Sequence, residues 1–434
     1  MRSAIIPVVF TPDENYIIPT CVAILSMLVA KRSETRYRFY IIVSNKMDAS
    51  YFRYLERVKK LKADFEYQII PIDSSIFDEQ KVTTPHLKTS AYYRLIIAEL
   101  LKDYDKCMYH DADILVLRDL QEMFDVDLDG FYVSGIKAYL KHQETEENQR
   151  IMKKWGFPSF DNYIVSGNLV LNLFKIREDK LTERFIQHMY KGYPSEDQDV
   201  INLCCYGKIH FSPLKFGMMN RWIYNDILYT MEKKVYELKE IEEAKESPAI
   251  VHFAGGVAKP WKNLRTAYAD KWWEYARQIL NEEEYATWYK KAEAATERRD
   301  WKYLKKRLEK YETVVIFGAG KNGGELLPVL RKWGHDVKGF IDNDVVKQGK
   351  EYNGYKVWGI DSELLQLDSV AVVSSVQNHW EEIRMQLIDK GVSSERIVDY
   401  NAKNEIYYMS LNPQYYEYEF RDMCVGKFGW KIDR

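Results

Sequence analysis

Apolar and polar positions along the first 260 residues fall into short blocks of two kinds. "AIIPVVF" (4–10), "RFYIIVS" (38–44) and "FEYQIIPI" (65–72) are compact runs rich in β-branched and aromatic residues, and they predict strands. Between them lie segments with helical spacing: 17–31, the amphipathic "SYFRYLERVKKLK" (50–62) and "SAYYRLIIAELL" (90–101), the last leading into strand "KCMYHD". This strand–helix alternation predicts an α/β fold with a doubly wound, mostly parallel sheet covered on both faces. "YIVSGNLVLNL" (163–173) and "IVHFA" (250–254) supply further strands.

The pattern changes at 264–312. No strand period remains, and charges interleave with Trp272, Trp273, Tyr275, Trp288, Trp301 and Tyr303 at helix-like intervals. This predicts a helical connector whose aromatics pack on the first domain. A new α/β unit opens with "TVVIFGAGKNGGELLPVLRKWGHDVKGFIDND" (313–344) and continues through "SVAVVSS" (369–375), a helix near 379–390 and "RIVDY" (396–400). The expected organisation is a first domain at 1–263, a connector at 264–312, a smaller domain at 313–400 and an aromatic tail at 401–434. No internal repeat or low-complexity tract interrupts it.

Composition narrows the class. With 434 residues, 46% hydrophobic and 29% charged, the chain can bury proper cores. A net charge of −2 argues against a general nucleic-acid binder. The five cysteines are few, odd in number and without metal-type spacing, which predicts a reduced, cytoplasmic protein. The apolar run 17–30 is too short for a bilayer span and reads as a buried helix. The expected protein is soluble, or at most peripheral at the inner face of a membrane.

"YHDADILVL" (109–117) sets two carboxylates, Asp111 and Asp113, where a buried strand should end. On an extended strand i and i+2 share a side, so both would aim at the carboxyl edge of the sheet, where ligands sit in open α/β folds. Two converging carboxylates call for a cation, and oxygen ligands suit Mg²⁺ or Mn²⁺. The plain alternative is a turn with two solvated aspartates. Haloacid dehalogenase phosphatases also use Asp-x-Asp, but they want Thr or Val where Leu115 stands, and they place the motif near the domain start. Downstream, "VHFAGGVAKPWKN" (251–263) offers His252 as a third ligand, a Gly255-Gly256 pair that phosphate oxygens can approach closely, and Lys259 as a point charge for a diphosphate.

"VVFTPDENY…VAILSML", "AYYRLIIAELL", "YHDADILVL", "EDQDVIN" and "HFAGGVAKPW" resemble, in order and spacing, family 8 glycosyltransferases, the retaining nucleotide-sugar transferases that include bacterial lipopolysaccharide galactosyl- and glucosyltransferases. The resemblance spans about residues 4–280. It implies a GT-A fold, a UDP-sugar donor (UDP-galactose or UDP-glucose), Mn²⁺ dependence with Mg²⁺ as the other candidate, and a glycan or glycolipid acceptor. It assigns Thr11, Asp13, Asn15 and Tyr16 to uracil and ribose, and Arg94 to the donor sugar or its phosphates. Asp111, Asp113 and His252 become the metal ligands, with Ala112 between the aspartates at the donor. Gly255 or Gly256, with Lys259, face the diphosphate. Asp197 and Gln198 of "EDQD" lie beside the donor sugar, Asp197 on its hydroxyls and Gln198 at the anomeric face. "TPDEN" and "EDQD" also suit helix N-termini. Two departures stand out. The family's Asn-Ala-Gly or Asn-Ser-Gly is here Val165-Ser166-Gly167-Asn168, which leaves Ser166 toward the sugar, and the His252-to-Lys259 spacing is one residue longer than usual.

In the second domain, Gly318-x-Gly320-x-x-Gly323 follows a strand and precedes a helix, and Asp342 ends the next strand. This is a Rossmann-type context. It leaves open a second nucleotide site or a packing module through which copies could assemble. The leading expectation is a metal-dependent UDP-hexose transferase acting in lipopolysaccharide or other surface-polysaccharide synthesis. A non-catalytic nucleotide-sugar sensor or assembly protein is the alternative from another class, and an oxidoreductase using the Gly318 loop is a third.

Overall fold

The computed structural model describes residues 5–77, 89–139, 141–142, 144–223, 235–255, 258–297, 301–375 and 380–399. The chain divides into two compact units, Met1–Pro260 with Ala267–Ala286, and Trp261–Thr266 with Thr287–Arg434. The tail 401–434 and Gly256 lie outside the described residues.

Among the described residues, the first unit is a mixed α/β layer structure of ten strands: β1 (Ile5–Phe10), β2 (Arg36–Ser44), β3 (Glu66–Ile72), β4 (Lys106–His110), β5 (Ile114–Val116), β6 (Val133–Lys137), β7 (Ile164–Asn172), β8 (Ile209–Phe211), β9 (Met218–Met219) and β10 (Ile250–His252). Seven form one sheet in the order β3-β2-β1-β4-β7-β6-β8. The β3-β2-β1-β4 half is parallel, and β7 runs antiparallel to both β4 and β6. A small sheet, β5-β10-β9, stands apart from it.

The continuous apolar run of β1 matches a strand covered on both faces, and β7 is buried over all but its last residue even though it carries Ser166 and Asn168. The apolar helix Ile17–Ala30 is buried over its first twelve residues. Its Ser26 hydroxyl accepts the Val116 N–H at 3.0 Å, which ties the helix to β5. No helix among the described residues is long and apolar enough to cross a membrane.

Two expectations need correction. Residues 90–101 are not one α-helix: Thr89–Ile96 winds as 3₁₀ turns, and only Ile97–Leu100 is α-helical. The Arg94 side chain donates from Nε to the Ala91 carbonyl at 2.8 Å, competing for the acceptor that an α-helix would give to residue 95. More consequential, Asp111 and Asp113 are not on an extended strand. β4 ends at His110 and β5 begins at Ile114, so both aspartates sit in the bend between two sheets. Strand alternation is not what brings them together.

The described residues of the second unit form six strands, β11 (Thr313–Phe317), β12 (Asp336–Ile341), β13 (Glu351–Tyr352), β14 (Tyr355–Trp358), β15 (Val370–Ser374) and β16 (Ile397–Asp399), in the order β13-β14-β12-β11-β15-β16. All pairings are parallel except the β13–β14 hairpin. The 264–312 stretch is helical at Ala269–Ile279, Glu282–Glu297 and Trp301–Leu308. Trp272, Trp273 and Tyr275 are buried in the first unit, whereas Tyr303 packs against the second unit's core.

β11 is followed by Gly318, whose φ of +108° is a conformation that only glycine adopts without strain. The helix Lys321–Lys332 then starts so close to the strand that a Cβ on Gly323 would fall 2.0 Å from the Gly318 carbonyl oxygen. Asp342 is already engaged: its carboxylate accepts the Ala319 N–H at 2.8 Å and the Lys347 ammonium at 3.0 Å. Because backbone cannot yield as a flexible side chain would, Gly323→Ala is expected to destabilise this unit by about 2–3 kcal/mol. Faster hydrogen exchange in peptides covering β11 and β12, with those covering β1 and β4 unchanged, is the check.

Candidate active site

The site is assembled where β4 stops. Antiparallel pairing of β5 with β10 sets His252 opposite Ile114, and the Phe253 N–H continues the ladder onto the Asp113 carbonyl at 2.9 Å. The imidazole is thereby delivered beside the carboxylates on register alone. His252 Nε2 lies 3.6 Å from Asp111 Oδ2 and 3.4 Å from Asp113 Oδ1. One ligand atom from each of the three residues falls within 4.8 Å of the others.

The other oxygens are already spoken for. Asp111 Oδ1 accepts Arg94 Nη2 and the Tyr109 hydroxyl, each at 2.9 Å. Asp113 Oδ2 accepts the Lys259 ammonium. What remains is one oxygen from each aspartate, both turned to the same imidazole nitrogen. Ligand atoms about 2.1–2.6 Å from a divalent cation lie roughly 3–3.5 Å from one another, so this donor set fits Mg²⁺ or Mn²⁺. His252 Nδ1 is buried and has no hydrogen-bond partner among the described residues.

Burial pushes Asp113 upward, yet the Lys259 ammonium and the His252 ring together hold it well below the usual carboxylate range. Burial lowers Lys259, and Asp113 more than restores it, so its charge is secure. Asp197 goes the other way: burial lifts it to about 6 against the pull of Arg94. Arg94, 8% exposed, is the hub. Besides Asp111 it pairs through Nε with Asp197 at 3.2 Å and donates through Nη1 to the Ser166 carbonyl and hydroxyl at 2.9 and 3.1 Å. Its guanidinium lies 4.4 Å from the centre of the Tyr109 ring.

Most of the expected residues come together. Thr11 bonds the Tyr109 hydroxyl at 3.1 Å. The Tyr16 ring centre lies 6.0 Å from the Lys259 ammonium, and burial raises its phenol, with Lys259 opposing. Ser166 donates to Asp197 at 3.1 Å, and its N–H is accepted by Gln198 Oε1 at 3.2 Å. Asp197 and Gln198 sit in the first turn of the helix Glu196–Cys204. Ala112 is buried between the aspartates. Asp13 caps the turn Glu14–Tyr16 by accepting the Asn15 N–H at 2.7 Å, and Asn15 itself is exposed. Gly255 has φ +101°; Gly256 lies outside the described residues. Gly318, Gly320, Gly323 and Asp342 belong to the other unit.

The fold also explains the displaced asparagine. His110 and Asn168 are register partners across β4 and β7, and His110 Nδ1 bonds Asn168 Oδ1 at 2.8 Å. Asn168 is committed to that buried pair. Burial lowers His110 to about 4 and keeps it neutral, with Asn168 opposing. Sequence reasoning missed Tyr109, Tyr163 and Gly167. Tyr109 was findable, near the end of β4 and two residues before Asp111. Tyr163 and Gly167 were not, because their partners are set by the β7 register.

Residues 7–265 match the model of glycosyl transferase family 8, and residues 310–398 match the model described as C2185-like, N-terminal. General stress protein A of Bacillus subtilis is 26% identical over 288 residues, 63% of this chain and 94% of that protein. Lipopolysaccharide 1,2-glucosyltransferase of Escherichia coli is 26% identical over 265 residues, 58% of this chain and 72% of that one. The galactosyltransferase LgtC, solved with donor and acceptor sugar analogs, superposes with a TM-score of 0.54 at 23% identity, covering 66% of this chain and all of that one. At that identity the superposition speaks for a shared GT-A fold.

A Cβ on Gly167 would stand 2.4 Å from His252 Cε1 and 2.7 Å from Asp111 Oδ2. Gly167→Ala is therefore expected to spread the donor set and lower its affinity for a divalent cation, with Mn²⁺ as the probe, by about tenfold or more. Titration followed by electron paramagnetic resonance reads the loss, with an unchanged circular-dichroism spectrum confirming the fold.

Proposed function

Because the chain belongs to glycosyl transferase family 8, we propose that it moves a hexose from a UDP-sugar, UDP-galactose or UDP-glucose, to a glycan or glycolipid acceptor of a bacterial surface polysaccharide such as lipopolysaccharide, with retention at the anomeric carbon. One observation carries the donor half of this reading: Asp111 Oδ2, Asp113 Oδ1 and His252 Nε2 converge while their remaining carboxylate oxygens are held by Arg94, Tyr109 and Lys259. The acceptor half is supported by the name of the Escherichia coli relative. We assign the setting to the cytoplasm, at most at the membrane surface, and give the second unit a role in nucleotide binding or in assembly between copies.

Asp111, Asp113 and His252 would hold Mn²⁺, or Mg²⁺, whose chemistry when bound is to neutralise charge on the departing diphosphate. Lys259 adds a buried positive charge beside Asp113, well placed to move onto a phosphate oxygen. Thr11, Asp13, Asn15 and Tyr16 form the wall for uracil and ribose. Arg94 keeps Asp197 aligned for the sugar hydroxyls, and Gln198 faces the anomeric carbon. No carboxylate takes the place of a nucleophile in this scheme. The acceptor hydroxyl attacks from the face that the phosphate leaves, and its proton passes to that phosphate. Fixed orientation of donor and acceptor supplies much of the remaining acceleration.

Incubation with Mn²⁺ and each of UDP-glucose, UDP-galactose and their N-acetyl forms should release UDP slowly from the preferred donor even without acceptor. Asp113→Asn is expected to lower that release by about 100-fold or more; turnover equal to wild type would reject the reading. Lys259→Gln removes the ammonium resting on Asp113. It should tighten Mn²⁺ binding without nucleotide while weakening UDP binding, both readable by calorimetry.

A further inference from the structure

Behind Gln198 runs a chain of hydrogen bonds with a fixed direction. Asp199, wholly buried, accepts the Ser195 N–H on Oδ2 at 2.7 Å and the Tyr163 hydroxyl on Oδ1 at 2.5 Å. A phenol has one proton, and here it is committed to the carboxylate. Toward Gln198 the Tyr163 oxygen can only accept, and it does so from Nε2 at 3.2 Å. The amide is thereby oriented with its carbonyl on the opposite side, where Oε1 accepts the Ser166 N–H at 3.2 Å. Ser166 is the residue whose hydroxyl meets Arg94 and Asp197, so the carbonyl end of Gln198 faces the donor side of the pocket.

We infer that Tyr163 is a positioning residue: with its proton held by Asp199, its hydroxyl fixes the Gln198 amide so that the carbonyl oxygen, not the NH₂, is presented to the reacting sugar. The inference rests on the function proposed above. Its physical content is a dipole. An oxocarbenium-like sugar develops positive charge, which a carbonyl oxygen stabilises and an NH₂ group opposes. An isolated glutamine has little preference between its two flips, and the two differ only in what their neighbours can donate or accept. Here the flipped amide would set NH₂ against the Ser166 N–H, donor facing donor, and a carbonyl against a hydroxyl with no proton to give. Burial keeps the phenol protonated, well above its ordinary range, against a pull from Gln198. Oε1 has a second lone pair left for the sugar.

Asp199 sits one residue beyond Gln198 in "EDQD", so the helix supplies both the dipole and the acceptor that ultimately orients it. Tyr163 comes from the residue just before β7. The strand that provides Ser166 therefore grips the same amide from its other end.

The test is a double-mutant cycle on donor turnover. Tyr163→Phe is expected to lower kcat for UDP release about tenfold, the effect of one lost hydrogen bond on a transition state, with donor KM within about twofold. In a Gln198→Ala background there is no amide to orient, and adding Tyr163→Phe should change kcat by less than about twofold. Asp199→Asn keeps the shape but lets Tyr163 turn its proton toward Gln198. It should lower kcat in the same direction, and it serves as the second variant should Tyr163→Phe not fold. An equal loss with and without Gln198, a rise in KM in place of the fall in kcat, or wild-type kcat in both variants overturns the positioning role alone. Absence of UDP release by the wild type from every donor overturns the proposed function itself.

Discussion

Everything at the site hangs on three residue pairs in a two-strand ladder. β5 and β10 are three residues each, and their antiparallel register places His252 across from Ile114, directly after Asp113. A slip of one residue would turn the imidazole to the opposite face, because side chains alternate along a strand. The ladder is held on one side by the Ile17–Ala30 helix through Ser26 and on the other by β9. A buried helix that carries no catalytic residue thus contributes to the ligand geometry.

Charge arithmetic then constrains what the pocket can contain. Asp111, Asp113 and Asp197 are gathered with two permanent cations, Arg94 and Lys259, each tied to a carboxylate. The balance leaves one negative charge, a poor welcome for a diphosphate alone and a good one for a diphosphate that arrives with a divalent ion. Lys259 and such an ion would compete for Asp113, and in the proposed reading that competition would free the lysine for a phosphate. Arg94 pairs with Asp111 and Asp197 at once, so one buried side chain couples the two carboxylates to which the proposed reading gives the metal and the sugar.

The second unit illustrates how a motif can specify shape without specifying chemistry. Its Gly318-x-Gly320-x-x-Gly323 turn needs glycine twice for reasons visible in the backbone: a positive φ at Gly318, and a helix packed against the strand end at Gly323. Asp342, which would greet a ribose in a dinucleotide-binding domain, instead bonds the Ala319 N–H and Lys347. Any nucleotide recognised there would have to break or replace those contacts.

Local pattern picked out β1 to β4, β7 and β10, the change to a new α/β unit after the helical stretch, and Asp111, Asp113 and His252 as a group that the fold does bring together; it passed over short strands such as β5, β6, β8 and β9. Asp-x-Asp after an apolar run and a histidine before Gly-Gly are one-dimensional signals, because ligand type and strand period are properties of neighbouring residues. Pattern misjudged how Asp111 and Asp113 converge, since a bend between sheets has no period to read. It saw the displaced Asn168 as a missing contact, where β4–β7 pairing turns it into a partner for His110. Which oxygen of each aspartate stays available, which way Gln198 faces and why Gly167 has no side chain were decided only by tertiary structure. Those facts depend on the register between strands distant in the chain, and register is settled by the packing of whole faces, which no short stretch of sequence contains.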